Sequence, residues 1–459
     1  MGSREILDRR TLTKLAGGAA ASLALSKPMA AAAQNVKATE DAAATATAEA
    51  DGEVFSEEQE GKINVSWWTH NGPAFVTGNI AVIEAFEAAN PDVHIVYQYF
   101  PYDVFVQKLQ TGYASDTVAD IQQMFGTWVT EYAKNELLDP VPDAIAATVA
   151  ERFWPAATGA YQYDGRYYGL PIEYNIENGG ILVNPALLAE GGFTATPTTW
   201  ADLVTTAVAL TKYDDNGLVT QAGLAFINND AITFSYLAMI LQQGANYFAD
   251  DGVHVNFSSE AAVKAWKDLT DLATVYKVDS SQSYSGETEE LFFRGGAAMC
   301  IKGPWTIAVG VEQFPEFEFR YDPIPAYSGT EIKFAAESGW GEVVNKNASD
   351  EKKAAAWRFI DFMHSDAQTR AWNITTFTVP PLQSLVNDPE ILAVAPGLAT
   401  SFAVLPTGQW IGLIGDRDRF FELIRDAFSS TELGLLSADE ALSACEEQIN
   451  AMIDENMGP

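Results

Sequence analysis

From residue 62 onward, short apolar runs alternate with longer amphipathic ones, and this alternation restricts the fold more than any other feature of the chain. Ile63-Asn64-Val65-Ser66-Trp67-Trp68 alternates at period two, as a strand with one buried face does, and residues 69–73 read as the loop at its carboxyl end. Residues 79–89 put Ile80, Ile83 and Phe86 on one helical face and stop at Asn90-Pro91. Strands follow at 94–100 and 120–125, separated by a helix that turns Phe105 and Leu109 inward. Parallel strands need crossovers of this length, so the pattern predicts an α/β fold with a parallel sheet. A single core does not grow to 459 residues, which implies two domains.

The rhythm breaks at residues 161–174. Asp164-Gly165 between tyrosine-rich arms predicts a hairpin. A second alternation begins at Gly180-Ile181-Leu182-Val183-Asn184, with a helix announced by Thr199-Trp200-Ala201-Asp202 and another over 259–277. Residues 297–301 form an apolar run bounded by glycines, a strand buried on both faces, and Gly303-Pro304 turns the chain into a helix with proline at its first position. Trp305 therefore falls at a strand-to-helix corner. Ligands of open α/β sheets bind outside the carboxyl ends of strands, so an indole placed there is positioned to touch one. A strand at 342–345, a helix at 351–364 and a largely helical last eighty residues complete the pattern.

With 62 acidic and 27 basic residues the net charge is −35, which excludes electrostatic binding to nucleic acid or to an anionic membrane. Cys300 lies in the apolar run above, and Cys445 shares a helical face with Leu442, Ile449 and Met452. Both read as small buried hydrophobes, with no disulfide, metal or cofactor site expected. Residues 1–33 carry Asp8-Arg9-Arg10-Thr11-Leu12-Thr13-Lys14, then a mildly apolar stretch and an alanine-rich end, the pattern of a twin-arginine export signal. Residues 34–61, rich in Ala, Thr and Glu, read as a flexible acidic linker, with ordered structure expected from 62.

The order of these pieces resembles the family 1 extracellular solute-binding proteins, the sugar-binding receptors of ATP-driven importers. The residues that carry the resemblance are Trp67-Trp68, the run 113–125, Tyr163-Asp164-Gly165-Arg166-Tyr167-Tyr168-Gly169-Leu170-Pro171, Pro197-Thr198-Thr199-Trp200, Gly296-Ala297-Ala298-Met299 with Gly303-Pro304-Trp305, and 355–363 followed by Val379-Pro380. Val118-Ala119-Asp120 departs from the family's glycine-proline-aspartate, and no cysteine stands at the end of the leader to take a lipid. The resemblance implies a two-lobed type II periplasmic-binding-protein fold with the ligand in a cleft between hinged lobes. One lobe would take 62–173 plus 336–377, the other 174–335 plus 378–459. It also implies a monomer that hands a sugar to a permease and its ATPase outside the cytoplasm.

A sugar offers an apolar C–H face and a rim of hydroxyls, so its receptor needs flat aromatic faces and fixed carboxylates. By the resemblance, Trp305 and Trp410 take stacking positions, Phe125 and Trp128 lie in the loop after the third strand, and His70 and Asn71 lie in the loop after the first. The family's acidic sugar contact falls on Glu173 or Glu177, depending on which end the count starts from, with Tyr174 between them at the hinge. Trp340 sits between glycines that let backbone approach closely. Trp67 and Trp68 point to opposite faces of one strand, so at most one reaches a cleft. Aromatics with glutamates also describe a glycosidase cleft, although no G-x-S-x-G or HExxH pattern is present. The same fold with a polyol or polyamine ligand is a further alternative.

Overall fold

The structure, a computed structural model, describes residues 52–284 and 286–457. The expected export signal and residues 34–51 of the expected linker lie outside them. Order begins earlier than the composition predicts. Glu53–Val54 pairs antiparallel with Val93–Phe100, and the Ser56 hydroxyl donates to the Ile95 carbonyl at 2.7 Å while accepting from the Tyr97 N–H at 2.9 Å. An edge strand offers unpaired backbone groups to any neighbouring segment, and Glu53, Val54, Phe55 and Ser56 use them.

The first sheet runs in the order Glu53–Val54, Val93–Phe100, Ile63–His70, Ile121–Phe125, Trp340–Asn345, Leu138–Asp139, with Gly169–Pro171 also paired to Trp340–Asn345. Ile63–His70 is parallel to both its neighbours, as the crossover helices require, whereas Trp340–Asn345 returns antiparallel to Ile121–Phe125. Val65, Trp67 and Thr69 are buried and their neighbours half-buried, which is the period the sequence shows. The Trp67 ring lies 4.9 Å from Tyr97 and 5.2 Å from Phe359 on the Asp350–Met363 helix, inside the core.

In the second sheet Ile181–Val183 is flanked antiparallel by Met299–Cys300 and Arg320–Asp322. The apolar run at 297–301 is wholly buried, as expected, and Ala297 and Cys300 add parallel bridges to Ala222 and Ala225. Helices Asn229–Gln242, Glu260–Thr274, Arg417–Glu432 and Ala438–Met457 belong to the same core, which takes in Cys445; Cys300 and Cys445 are buried free thiols. The Asp164-Gly165 turn has φ of 48° and 73°, the doubly positive pair that closes a two-residue hairpin.

The chain leaves the first sheet after Gly169–Pro171, builds the second, and returns through Glu337-Ser338-Gly339 to Trp340–Asn345. Immediately before that return, Phe334–Ala336 pairs parallel with Gly408–Trp410, a strand in the stretch expected to be helical. No helix among the described residues is long and apolar enough to cross a membrane.

Candidate functional site

A cavity of about 340 Å3 opens where the two lobes meet. From the first lobe it takes His70 and Phe125 as the last residues of their strands, Phe75, Tyr102 and Trp128 from the helices that follow strands, and Trp340. His70, Phe125 and Trp128 thus stand in strands and a helix where loops were expected. Trp340 is the centre of this wall, with ring centroids 4.8 Å from His70, 5.0 Å from Phe125 and 5.5 Å from Trp128, the last at a right angle. Edge-to-face packing of this kind fixes the rings before any ligand arrives. The His70 imidazole accepts from the Gly72 N–H at 3.0 Å, and burial lowers its pKa to about 4, so the ring is neutral at physiological pH.

Trp305 stands at the corner the sequence predicts, although its helix begins one residue later, at Thr306, with Pro304 in the preceding turn. Its indole N–H donates to Glu177 at 3.0 Å, and the other Glu177 oxygen accepts from the Gly303 N–H at 3.0 Å. One carboxylate thus fixes both the corner and the ring. Among the described residues Glu173 accepts only from the Trp340 backbone N–H, at 3.3 Å. Burial pushes the Glu173 carboxyl up to about 8 and that of Glu177 up to about 7. Repulsion between the two adds to the first, while Asp230 raises and Lys302 lowers the second.

Opposite lies an ionic cluster built by Arg417 at the start of its helix. Its guanidinium donates twice to Glu337, at 2.8 and 2.9 Å, and to Asp230 at 3.0 Å, and stacks 4.0 Å from the centre of the Phe421 ring. Asn175 and Asp418 complete the lining. Among the described residues no group of three or more His, Cys, Asp or Glu could hold a metal ion.

Of the residues singled out from sequence, His70, Phe125, Trp128, Glu173, Glu177, Trp305 and Trp340 line the cavity. Five do not. Trp67 is buried against the 350–363 helix, and Trp68 is on the other face against Phe100 at 5.6 Å, so neither reaches the cavity. Asn71 is exposed, with its N–H bonded to the Phe100 carbonyl at 2.8 Å. Tyr174 is buried beside Phe334, and Trp410 is half-buried over Gly159 because Gly408–Trp410 is drawn into a strand with Phe334–Ala336. Sequence reasoning missed Phe75, Tyr102, Asn175, Asp230, Glu337, Arg417 and Asp418. Asp230 and Asp418 look like ordinary acidic residues of a first helical turn. Asn175, between Glu173 and Glu177, and Glu337, three residues before the glycine-flanked Trp340, lie close in sequence to residues already singled out.

Two α/β lobes joined by chain crossings around such a cavity define the type II periplasmic-binding-protein fold. Solved structures agree. The cyclic alpha-maltosyl-1,6-maltose binding protein of Arthrobacter globiformis superposes with TM-score 0.73 at 22% identity, over 86% of this chain and 100% of that one. A Mycobacterium tuberculosis protein solved in complex with glycerophosphocholine also reaches 0.73, at 16% identity and the same coverage. Among curated relatives, the maltotriose-binding protein of Pyrococcus abyssi is 24% identical over 315 residues, which is 68% of this chain; the match spans 65% of that relative's length. Residues 81–400 match the bacterial extracellular solute-binding protein family, and the chain belongs to it.

Proposed function

We propose that the protein binds a sugar or oligosaccharide outside the cytoplasm, closes its lobes around it and delivers it to an ABC-type permease with its ATPase. The observation that carries this is the meeting of aromatic faces and carboxylates from both lobes in one cavity. A ligand touching both walls favours the closed arrangement by its differential affinity for it. The relatives' names, a maltotriose-binding and a cyclic-maltosyl-maltose-binding protein, support a saccharide. The lobes would be 62–173 plus 336–377, joined by the ordered residues from 52, and 174–335 plus 378–459. Export would follow the twin-arginine pattern of residues 8–14, and the protein would act as a monomer without turning its ligand over.

The seven sequence-predicted residues in the lining are the proposed contacts, with Trp305 as the stacking ring held in place by Glu177. Melting temperature measured over maltooligosaccharides and xylooligosaccharides should rise with a saccharide that is recovered intact. Trp305→Ala should weaken that saccharide by about thirtyfold in calorimetry, the scale of a buried tryptophan anchor. Unchanged affinity would remove the stacking role, and cleaved oligosaccharide would make the protein an enzyme.

A further inference from the structure

The charges around the cavity do not balance. Its lining contains five carboxyl side chains, Glu173, Glu177, Asp230, Glu337 and Asp418, against one permanently charged base, Arg417. That base is committed, with Glu337 and Asp230 both within 3.0 Å of its nitrogens. The nearby Lys302 ammonium is bonded to Glu289 at 3.0 Å and lies 5.3 Å from the centre of the Trp305 ring, where it favours the ionised form of Glu177 without bonding to it. His70 is neutral. Among the described residues the hydrogen bonds to Glu173 and Glu177 therefore come from uncharged N–H donors alone. In the first sheet lies Glu342, fully buried, with neither carboxyl oxygen hydrogen-bonded among the described residues and its ionisation disfavoured by burial and by repulsion from Glu173.

We propose that the solute carries a protonated amine: an amino sugar whose ammonium is taken up by Glu173 and Glu177 and whose ring is received by the indoles of Trp305 and Trp340. This rests on the solute-binding reading and narrows its ligand. An ammonium supplies the missing positive charge, charge-assisted hydrogen bonds to carboxylates and attraction to indole faces at once. A hydroxyl leaves the excess charge uncompensated, and a phosphate or carboxylate group would add to it. Because burial, joined by repulsion from Glu177 at Glu173 and from Asp230 at Glu177, keeps both glutamates partly protonated near neutral pH, seating an ammonium there expels protons, whereas seating a neutral hydroxyl does not. The other charged groups facing the pair, Asp230, Lys302 and Glu342, are fixed features of both comparisons.

The test uses the full chain and three disaccharides of one β-1,4 linkage that differ at C2: the glucosamine dimer, its diacetylated form and cellobiose. Maltotriose serves as a neutral α-linked control. At pH 7 the glucosamine dimer should bind at least about tenfold tighter than either neutral analogue, one decade of dissociation constant. Calorimetry in buffers of different ionisation enthalpy should show protons released only with the amine. Glu173→Gln and Glu177→Gln should each lower the ratio of amine to neutral affinity. Equal or tighter binding of a neutral analogue, or a melting rise with maltotriose alone, overturns the amine requirement and leaves the solute-binding reading standing. No melting rise with any of the four overturns both.

Discussion

Glu342 shows what burial does to one carboxyl when nothing compensates it. Enclosed in the first sheet with both oxygens unpartnered, it is pushed well above the usual carboxylate range by desolvation, with repulsion from Glu173 acting in the same direction. The native protein keeps this proton while the unfolded chain loses it near pH 4. The associated stability is complete below that pH and is lost as pH rises towards the folded-state pKa, at up to about 1.4 kcal/mol per pH unit. Glu173, raised to about 8, acts in the same sense over the same window. Glu342→Gln should gain stability relative to wild type in urea titrations as pH rises from 5 to 8. A difference that stays constant with pH would show that Glu342 is ionised in the folded state. At this scale the aromatic half of the site was legible, because Trp305 and Trp340 stand beside glycines that mark corners and close approaches. The acidic half was not: nothing local distinguishes Asp230 or Asp418 from a residue that merely opens a helix.

Strand pairing accounts for the next level. Trp340–Asn345 is held between Ile121–Phe125 on one side and Gly169–Pro171 and Leu138–Asp139 on the other, and it can lie that close to Gly169–Pro171 only without a side chain at 341. A Cβ on Gly341 would stand 2.2 Å from the Leu170 carbonyl oxygen and 2.6 Å from Pro171 Cα, both backbone atoms that cannot swing aside. Gly341→Ala should therefore cost about 1–3 kcal/mol, the usual range for overpacking. It should also displace Trp340 enough to change tryptophan fluorescence; an unaltered melting curve and spectrum would mean that the two strands yield without loss. Long elements with a clear period were readable, from Ile63–His70 to Asp350–Met363. Glu53–Val54 and Gly408–Trp410 were not, since two or three residues recruited by backbone hydrogen bonds leave no periodic trace.

Across the whole molecule, Arg417 secures the place where the chain returns from one lobe to the other. Glu337, buried in that crossing, meets it from 80 residues away and Asp230 from 187. Sequence patterns carry no information on pairings so distant, which is why this half of the cavity came only from the structure. Removing the guanidinium strands a buried carboxylate, so Arg417→Met should lose about 3–5 kcal/mol in equilibrium unfolding. Adding Glu337→Gln to the same chain should restore most of it; a double variant as unstable as the single one would assign the loss to the Phe421 stacking instead. The late return of Trp340–Asn345 has a further consequence, for biosynthesis. A nascent chain grown only as far as Gly339 holds a lobe whose internal row is still unmade, so maturation of that lobe waits until the ribosome has added residues 340–345.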